Sequence, residues 1–521
     1  MLQDPVIKKA VSTIIQRSER QQNTNKIIAS FVDIGIIPQL INNNNQIVYG
    51  RRGTGKTHIF KVISSELSHD KNNAIVYIDA RTLGSTSQFS DPNIPIKIRC
   101  FSLFQDILGV ICNDLMEFII ENPSSKSEIA LDKLTELMNI VTEPMKKYVE
   151  DLVSTRELNK SQDKASINYG IKKGVPSITG SMDEDAAKEN EKSTTYKISC
   201  EEKINFPQLH YLLKDILDKL NASLYLLIDE WSSLPFDIQP YLAEFFKRSF
   251  IINPQIILKI AALEYRSNFQ KNLEHDVIGF EFGGEISTIL DLDDYYVYDR
   301  NPKSIASFFS EMILKHLNIE LPAEYLSQTY KINSNEDFTS KMFTEKSIFV
   351  ELVRASEGVA RDLINIFTSA FFDSQRKDRN NIDKKSVLEA AQQWFEKDKN
   401  VNLDEKLQNV LKKIIREVIG TKKARSFLLP KELEKNPIIQ KLFDLRVLHL
   451  MQRGYADKDN PGTRYNIYTL DYGTYVDLIG TSNKPQTDFI EFAEEYKNEL
   501  VVPFDDKRSI RRIILTKEIL E

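Results

Sequence analysis

The feature that most constrains this chain is a glycine-rich segment at residues 50–57, GRRGTGKT, which matches the pattern GxxxxGK[ST]. An apolar run at residues 46–50 leads into it, and a stretch with helical periodicity follows at residues 57–67. Glycines there let successive backbone N–H groups converge on phosphate oxygens, and the N-terminus of a helix adds a partial positive charge. The sequence therefore predicts a phosphate-binding loop between a buried strand and a helix.

Two side chains at the end of this loop have expected roles in binding ATP and Mg²⁺. Lys56 is placed to reach the β and γ phosphates. Thr57 supplies a hydroxyl to Mg²⁺, which prefers oxygen ligands in octahedral geometry. We therefore expect the cofactors to be ATP and Mg²⁺.

A second element is needed, because a phosphate loop alone does not hold the metal or orient the attacking water. The run SLYLLIDEW at residues 223–231 predicts a buried strand that ends in two acids. We predict that Asp229 binds Mg²⁺ together with Thr57 and that Glu230 polarises water; the alternative is an acid pair that only faces solvent. The predicted cofactor-binding residues are Gly50, Arg51, Arg52, Gly53, Thr54, Gly55, Lys56, Thr57, His58 and Asp229.

Polar residues also follow the next apolar strand, within residues 254–267 and just beyond. In a parallel sheet they would lie at the same carboxyl edge as the phosphate loop, so Glu264, Arg266 and Asn268 are predicted to sense the γ-phosphate. Arg266 has two alternatives, an arginine finger directed at a neighbouring subunit and a surface salt bridge.

Arg361 lies in the first turn of a helix that begins after a glycine, in the segment ASEGVARDLINIF. A cation at this position is unfavourable for the helix dipole, which suggests an anionic partner. Together with Glu230 and Arg266, it completes the predicted catalytic set.

The length of 521 residues exceeds what one hydrophobic core usually supports, so several domains are expected. Strands alternate with helices up to about residue 300, which predicts a parallel α/β core, and a helical stretch follows. The predicted boundaries are 1–300 for the core, with a helical lead-in at 1–45 and a polar insertion at about 155–200, then 301–400 for an all-α lid, 401–480 for a winged helix and 481–521 for a tail.

Cysteine content and hydropathy limit the compartment in which the chain is expected. The three cysteines lie far apart without CxxC spacing, so neither a disulfide framework nor a zinc site is predicted, and a reducing cytoplasm fits best. No apolar segment is long and continuous enough for a signal peptide or a membrane span. We expect a cytoplasmic protein that does not bind membranes.

The predicted winged helix carries 14 Lys and Arg against 10 Asp and Glu in residues 404–480, whereas the whole chain has a net charge of −6. This local positive charge favours contact with duplex DNA through a recognition helix at residues 436–446 and a wing. The predicted DNA-binding residues are Asn436, Gln440, Lys441, Arg446, Lys458 and Arg464. The apolar segment LFDLRVLHLM favours the alternative, docking on protein.

These segments together resemble AAA+ ATPases of the origin-recognition-complex replication-initiator clade, especially bacterial ORC-like proteins. The resemblance covers roughly residues 30–480 and depends on GRRGTGKT, LLIDEW, ALEYRS, SEGVARD and the winged helix. It implies a P-loop NTPase fold with a five-stranded core, a lid that carries Arg361 as sensor 2, and a winged helix that contacts DNA. At sensor 1, where the family usually has asparagine or threonine, this chain has Glu264.

The predicted function is thus an Mg²⁺-dependent ATP-binding switch that hydrolyses ATP slowly or with stimulation by a partner. It is expected to bind double-stranded DNA through its winged helix, to self-associate, and to have a protein partner encoded nearby. Two alternatives stay open: a related STAND-type signalling or antiviral-defence ATPase whose winged helix docks on protein, and a nucleotide-bound scaffold that hydrolyses nothing.

Overall fold

The computed structural model describes residues 1–14, 21, 23–84, 87–142, 145–153, 168–172, 175–179, 195–203, 205–297, 301–422, 424–456, 462–476 and 513–521. The chain divides into two compact units. One is Asn139–Asn205, and the other comprises Met1–Met138 and Phe206–Glu521.

The secondary structure alternates between strands and helices up to Tyr295 and is helical for the next hundred residues. In chain order the strands are β1 (Gln46–Tyr49), β2 (Asn73–Asp79), β3 (Met145–Val153), β4 (Asn168–Lys172), β5 (Val175–Thr179), β6 (Thr195–Lys203), β7 (Ser223–Asp229), β8 (Ile256–Ala262), β9 (Gln270–Asn272), β10 (Val277–Gly279), β11 (Thr288–Asp291), β12 (Ser426–Pro430), β13 (Leu448–Ala456) and β14 (Arg464–Leu470). The helices are α1 (Pro5–Thr13), α2 (Thr24–Ser30), α3 (Ile37–Leu40), α4 (Lys56–Leu67), α5 (Ile96–Glu121), α6 (Ser127–Thr142), α7 (Phe206–Leu220), α8 (Gln239–Phe246), α9 (Leu292–Tyr295), α10 (Pro302–Glu320), α11 (Tyr325–Tyr330), α12 (Asn335–Met342), α13 (Lys346–Ala355), α14 (Ala360–Arg376), α15 (Lys384–Trp394), α16 (Glu405–Ile415), α17 (Pro437–Asp444) and α18 (Lys517–Leu520).

Five parallel strands form the central sheet, in the order β11–β1–β8–β7–β2. Strands β7 and β8 are apolar and almost fully buried, which is typical of parallel strands with helices on both faces. The predicted α/β parallel core and the five-stranded sheet implied by the resemblance are confirmed. The residue pattern does not predict the edge strand β11, because it is four residues long and largely exposed.

The carboxyl edge of this sheet collects the elements that carry the predicted site. Strand β1 leads into the glycine-rich segment and α4, and β7 ends at Asp229. Strand β8 ends at Ala262, shortly before Glu264. No helix among the described residues is both long and apolar enough to cross a membrane.

A C-terminal module follows the helices and consists of residues 405–476 and 513–521 within the described chain. It contains α16, β12, α17, β13, β14 and α18, and its strands are antiparallel in the order β12–β14–β13. The apolar segment FLLP, at residues 427–430, is part of β12 and pairs with β14. The end of the tail joins this sheet: the N–H of Leu428 donates to Ile513 O at 2.7 Å, and that of Leu515 donates to Leu428 O at 2.9 Å.

The polar insertion falls within the smaller unit. Its described strands form two antiparallel pairs, β3 with β6 and β4 with β5. This unit, Asn139–Asn205, begins before residue 155, and the insertion at about 155–200 stays a prediction.

Lys259, in the middle of β8, holds the asparagine-rich turn that precedes β1. The side chain is fully buried, and burial lowers the pKa of its ammonium to about 7. Its Nζ lies within hydrogen-bonding distance of four oxygens and can donate to at most three of them at once: Asn42 O at 3.1 Å, Asn42 Oδ1 at 3.0 Å, Asn44 O at 2.7 Å and Gln46 Oε1 at 2.5 Å. One buried lysine therefore ties the entrance of β1 to the centre of the sheet.

Replacing this cation should destabilise the core, since its oxygen partners would stay buried without a donor. We expect Lys259→Met to lower the free energy of unfolding by about 3 kcal/mol, measured by chemical denaturation. Lys303→Met, at an exposed position of α10, is the matched control and should change it by less than about 0.5 kcal/mol. Equal effects of the two substitutions would contradict this role of Lys259.

Candidate nucleotide site

The glycine-rich loop connects β1 to α4 and has two glycines with positive φ, Gly53 at +90° and Gly55 at +99°. Lys56 begins α4 and folds back into the loop, where its Nζ donates to Gly50 O at 2.6 Å and Arg51 O at 3.1 Å. Burial lowers the pKa of Lys56, and nearby acids oppose that shift. The cation predicted to bind phosphate thus lies inside the loop, held by carbonyl oxygens that a ligand would replace.

The residues predicted to bind the metal are in direct contact. Thr57 Oγ1 donates to Asp229 Oδ2 at 2.6 Å, and the Asp229 side chain is fully buried. The hydroxyl of Tyr77 donates to the same oxygen at 2.8 Å, and the N–H of Glu230 donates to Asp229 Oδ1 at 2.8 Å. A hydroxyl and a carboxylate beside a phosphate loop are an all-oxygen donor set that fits Mg²⁺. Tyr77 was not among the predicted residues.

The backbone of Glu230 is in the left-handed region, with φ of +56°. This conformation costs a non-glycine residue about 1 kcal/mol. A short helical turn begins at the next residue, Trp231, which is completely buried and stacks on Phe269 with ring centres 5.2 Å apart. This anchor fixes the backbone of Glu230 directly after Asp229.

Helix α14 begins directly on the phosphate loop. The N–H of Arg361 donates to Gly53 O at 3.1 Å, and a Cβ added to Gly53 would lie 2.7 Å from Arg361 Cβ. Only a glycine at position 53 therefore permits this contact. The charge of Arg361 contributes to the lowered pKa of Lys56, after burial. Arg361 thus lies beside the loop, and its catalytic role stays a prediction.

Arg51, the second residue of the loop, is buried and bound by residues from three parts of the chain. Its N–H and its Nε donate to the two carboxylate oxygens of Asp293, each at 2.8 Å. Its Nη2 donates to Glu357 O at 3.3 Å, and its Nη1 donates to Nδ1 of His449. The guanidinium also lies 5.7 Å from the ring centre of Phe443. The loop is therefore fastened to the C-terminal module.

A buried network of charged and polar side chains continues from His449. Its Nε2 donates to Asp471 Oδ2 at 2.8 Å, and burial lowers the pKa of His449 to about 4, so the ring is neutral and accepts from Arg51. Lys399 Nζ lies 2.5 Å from Asp471 Oδ2 and 3.0 Å from Asp362 Oδ2. Asp362 is in α14, directly after Arg361, so this network returns to the start of α14.

The polar residues after β8 contact the C-terminal module. Arg266 Nε donates to Asp444 Oδ2, in α17, at 2.7 Å. Arg453, in β13, donates to Glu264 Oε2 at 2.5 Å. Asn268 lies in the α/β part of the chain, where its Oδ1 accepts a long hydrogen bond from the N–H of Gln270 at 3.4 Å. The salt bridge considered for Arg266 is thus formed within one chain, and an action in trans stays a prediction.

Arg446 does not lie where the sequence analysis placed it. Predicted on a DNA-facing helix, it is only 6% exposed and forms ion pairs with Asp362 and Asp398. The physical reason is that α17 ends at Asp444, and the next turn enters the interior with φ of +60° at Arg446. In this arrangement its guanidinium cannot contact phosphates of a duplex, and this expectation is corrected.

The other residues predicted to bind DNA have different environments. Asn436 caps α17, accepting a hydrogen bond from the N–H two residues later at 2.8 Å. Lys441 is exposed and Gln440 is half-buried. Arg464 is exposed and donates to a carbonyl of the facing strand at 3.2 Å. Lys458 lies outside the described residues.

His58 follows the loop and lies beside a narrow cleft between α2 and α10. Its Nε2 donates to Ile27 O at 2.7 Å, and its ring meets that of Phe31 edge-on with centres 5.3 Å apart. Burial lowers the pKa of His58 to about 4. The cleft is also lined by Ser30 and His316.

The chain shares its sequence pattern with a known protein family. A family model described as ORC-CDC6-like matches residues 17–351. The chain belongs to the ORC-CDC6-like family. The family and the parallel core agree with the resemblance inferred from GRRGTGKT and LLIDEW, so that prediction is confirmed.

Solved structures similar to this ORC-CDC6-like protein include one Cdc6 protein, one ORC protein and one RuvB motor. They are Cdc6p from Pyrobaculum aerophilum (12% identity, covering 89% of this chain and 93% of that one, TM-score 0.33), the ORC1 protein of Aeropyrum pernix in complex with DNA (11%, 89% and 93%, 0.31) and the RuvB Holliday junction branch migration motor of Thermotoga maritima (11%, 89% and 97%, 0.32). These TM-scores are below 0.5, so the family assignment depends on the family model. No curated protein matches the sequence.

The cluster around Arg453 should make stability depend on pH. Asp291 and Glu434 share this arginine with Glu264, and burial raises the pKa of Glu264 to about 7, while Arg453 opposes the shift. The folded protein therefore binds this proton more tightly than the unfolded chain, whose glutamates titrate near 4.5. By linkage, the free energy of unfolding falls as the pH rises from about 4.5 to about 7.

Glu264→Gln removes this titration, so the variant should gain stability relative to wild type across that window. Thermal unfolding midpoints of both proteins between pH 4.5 and pH 8 measure the difference. A difference that stays constant over this range would contradict the raised pKa of Glu264.

Proposed function

We propose that this ORC-CDC6-like protein binds ATP with Mg²⁺ and that its nucleotide state controls contact with double-stranded DNA. The single observation that supports this best is the contact between Thr57 and Asp229, at 2.6 Å, directly beside Lys56 in the phosphate loop. Phosphate loop, metal ligands and a strand-end acid meet at one sheet edge, as phosphoryl transfer requires.

In this proposal each described side chain has a role. The loop N–H groups and Lys56 hold the phosphates, and Thr57 and Asp229 hold Mg²⁺, which neutralises charge on the phosphate oxygens. Glu230 polarises the attacking water, and Arg361 senses the γ-phosphate. Hydrolysis is proposed to be slow or stimulated by a partner, because Arg266 is held by the C-terminal module.

Two substitutions separate binding from hydrolysis. Lys56→Ala removes the loop cation from the phosphates, so ATP affinity in calorimetry should fall at least about tenfold. Glu230→Gln keeps the shape and the metal ligand, so it should bind ATP with wild-type affinity and lose turnover by about 100-fold or more. Unchanged ATP affinity of Lys56→Ala would contradict the proposed site, and a wild type without any turnover would favour the scaffold alternative.

The C-terminal module is proposed to be a winged helix that contacts duplex DNA when it is accessible. Its order of helix, strand, helix and two-stranded hairpin supports this proposal. Lys441 on α17 and Arg464 on the hairpin are exposed, and they are suited to phosphate contacts. Self-association is proposed with it, because AAA+ sites commonly meet at subunit contacts, where an arginine such as Arg266 would act.

Charge reversal at these two residues tests the DNA proposal. Lys441→Glu combined with Arg464→Glu should weaken duplex binding by at least about tenfold in fluorescence anisotropy and leave ATP affinity unchanged. The affinity of the wild type for duplex DNA should fall as the salt concentration rises, because each neutralised phosphate releases about 0.9 counterion. The slope should be modest, because only a few phosphate contacts are expected. Glu432→Gln, at an exposed position of the same module, is the control. A wild type that binds no duplex with ATP at low salt would reject this proposal.

A second candidate function is supported by one specific observation. Arg446 is buried and α17 is docked on the core, so this helix already serves protein contacts within the chain. A signalling or defence ATPase whose winged helix docks on protein fits that arrangement. ATP binding without any DNA binding, in the experiment above, is the result that favours it.

A further inference from the structure

The C-terminal end of α17 lies against the phosphate loop. Asp444, its last residue, accepts from Arg266 at 2.7 Å and is 9% exposed in its side chain. The ring of Phe443 lies below the guanidinium of Arg51, at 5.7 Å, and meets Tyr265 edge-on with ring centres 5.1 Å apart. The docked helix therefore places one carboxylate next to the site proposed for phosphates.

The cations around Asp444 are those expected to face ATP. Burial raises the pKa of this carboxyl, and the attraction of Arg266, Arg52 and Lys56 opposes the shift. Residues 50–52 of the loop line a narrow cleft together with Phe443 and Asp444. One carboxylate and the loop thus share both a space and a set of cations.

We propose that Asp444 stands in for a phosphate group of the nucleotide, so that docking of α17 and binding of ATP compete for the same cations. The inference rests on the proposed nucleotide site and adds its regulation. A triphosphate carries more negative charge than one carboxylate and also binds Mg²⁺, so ATP is expected to displace Asp444 from Arg266.

Displacement of Asp444 would affect the whole C-terminal module, because Arg51 and His449 also hold this module against the loop. Arg51 bonds His449 of β13 while its N–H is occupied by Asp293. A loop that turns its N–H groups towards phosphates must rearrange around Arg51, which weakens the bond to His449. ATP binding therefore releases the helix that carries Lys441, the residue proposed to contact DNA.

The test compares Asp444→Asn with a matched control, Glu432→Gln, which removes the same charge at an exposed position of the module. ATP affinity with Mg²⁺ is measured by calorimetry on the full chain. Because a docked state lowers the apparent affinity by the fraction of competent molecules, Asp444→Asn should bind ATP at least about five-fold more tightly than wild type. The control should not differ from wild type.

A second measurement needs no substitution at this contact. Hydrogen exchange of the wild type, with and without the non-hydrolysable analogue AMP-PNP and Mg²⁺, should show faster exchange across residues 437–456 when the analogue is bound. Lys56→Ala, which should not bind the analogue, should show no change.

The outcomes distinguish the two proposals. Equal ATP affinities of wild type and Asp444→Asn, or unchanged exchange in α17 at saturating AMP-PNP, would overturn the competition and leave the nucleotide site intact. If neither protein binds ATP, the proposed function fails, and the inference that rests on it is rejected too.

Discussion

The burial of Arg51 is the interaction on which this arrangement depends. This arginine, inside the glycine-rich loop, is 5% exposed, and a buried charge costs several kcal/mol unless its donors are satisfied. That requirement is met from the parallel core by Asp293, from the helical stretch by the carbonyl of Glu357 and from the C-terminal module by the ring of His449. One guanidinium therefore keeps three parts of the chain together at the point where a nucleotide is proposed to bind.

The chain of charges behind Arg51 makes docking of the module close to all-or-none. His449 can accept from Arg51 only as a neutral ring, and burial keeps it neutral while Asp471 fixes its orientation. Lys399 and Arg446 then balance Asp471 and Asp362. Removing one member leaves an uncompensated buried charge, so a partly undocked state would be costly. The module is thus suited to two discrete positions.

Local patterns predicted the parts of the site that local chemistry determines. GRRGTGKT and LLIDE fixed the loop and the strand-end acids, because the glycines, the lysine and the apolar run act within a few residues. Tyr77 is not among the site residues predicted from the sequence. Strand β2 pairs with β7 in a register that sets Asp79 beside Asp229, so a tyrosine two residues before Asp79 lies near the same edge. Strand β11 was too short to recognise. Arg446 was misplaced because its partners, Asp362 and Asp398, are distant in sequence.

The two candidate functions differ in the partner that binds α17, and both require the same binding of ATP by the loop. Coupling between two binding events is reciprocal, so if ATP releases α17, any partner that holds α17 away from the loop must raise the affinity for ATP by the same factor. A duplex held by Lys441 and a protein surface that covers Phe443 would both satisfy that relation. The difference between them lies in charge. A duplex would use the exposed cations of the module, so its affinity would fall measurably as salt rises, whereas a protein would use the apolar face that α17 now buries against Tyr265 and depend on salt little.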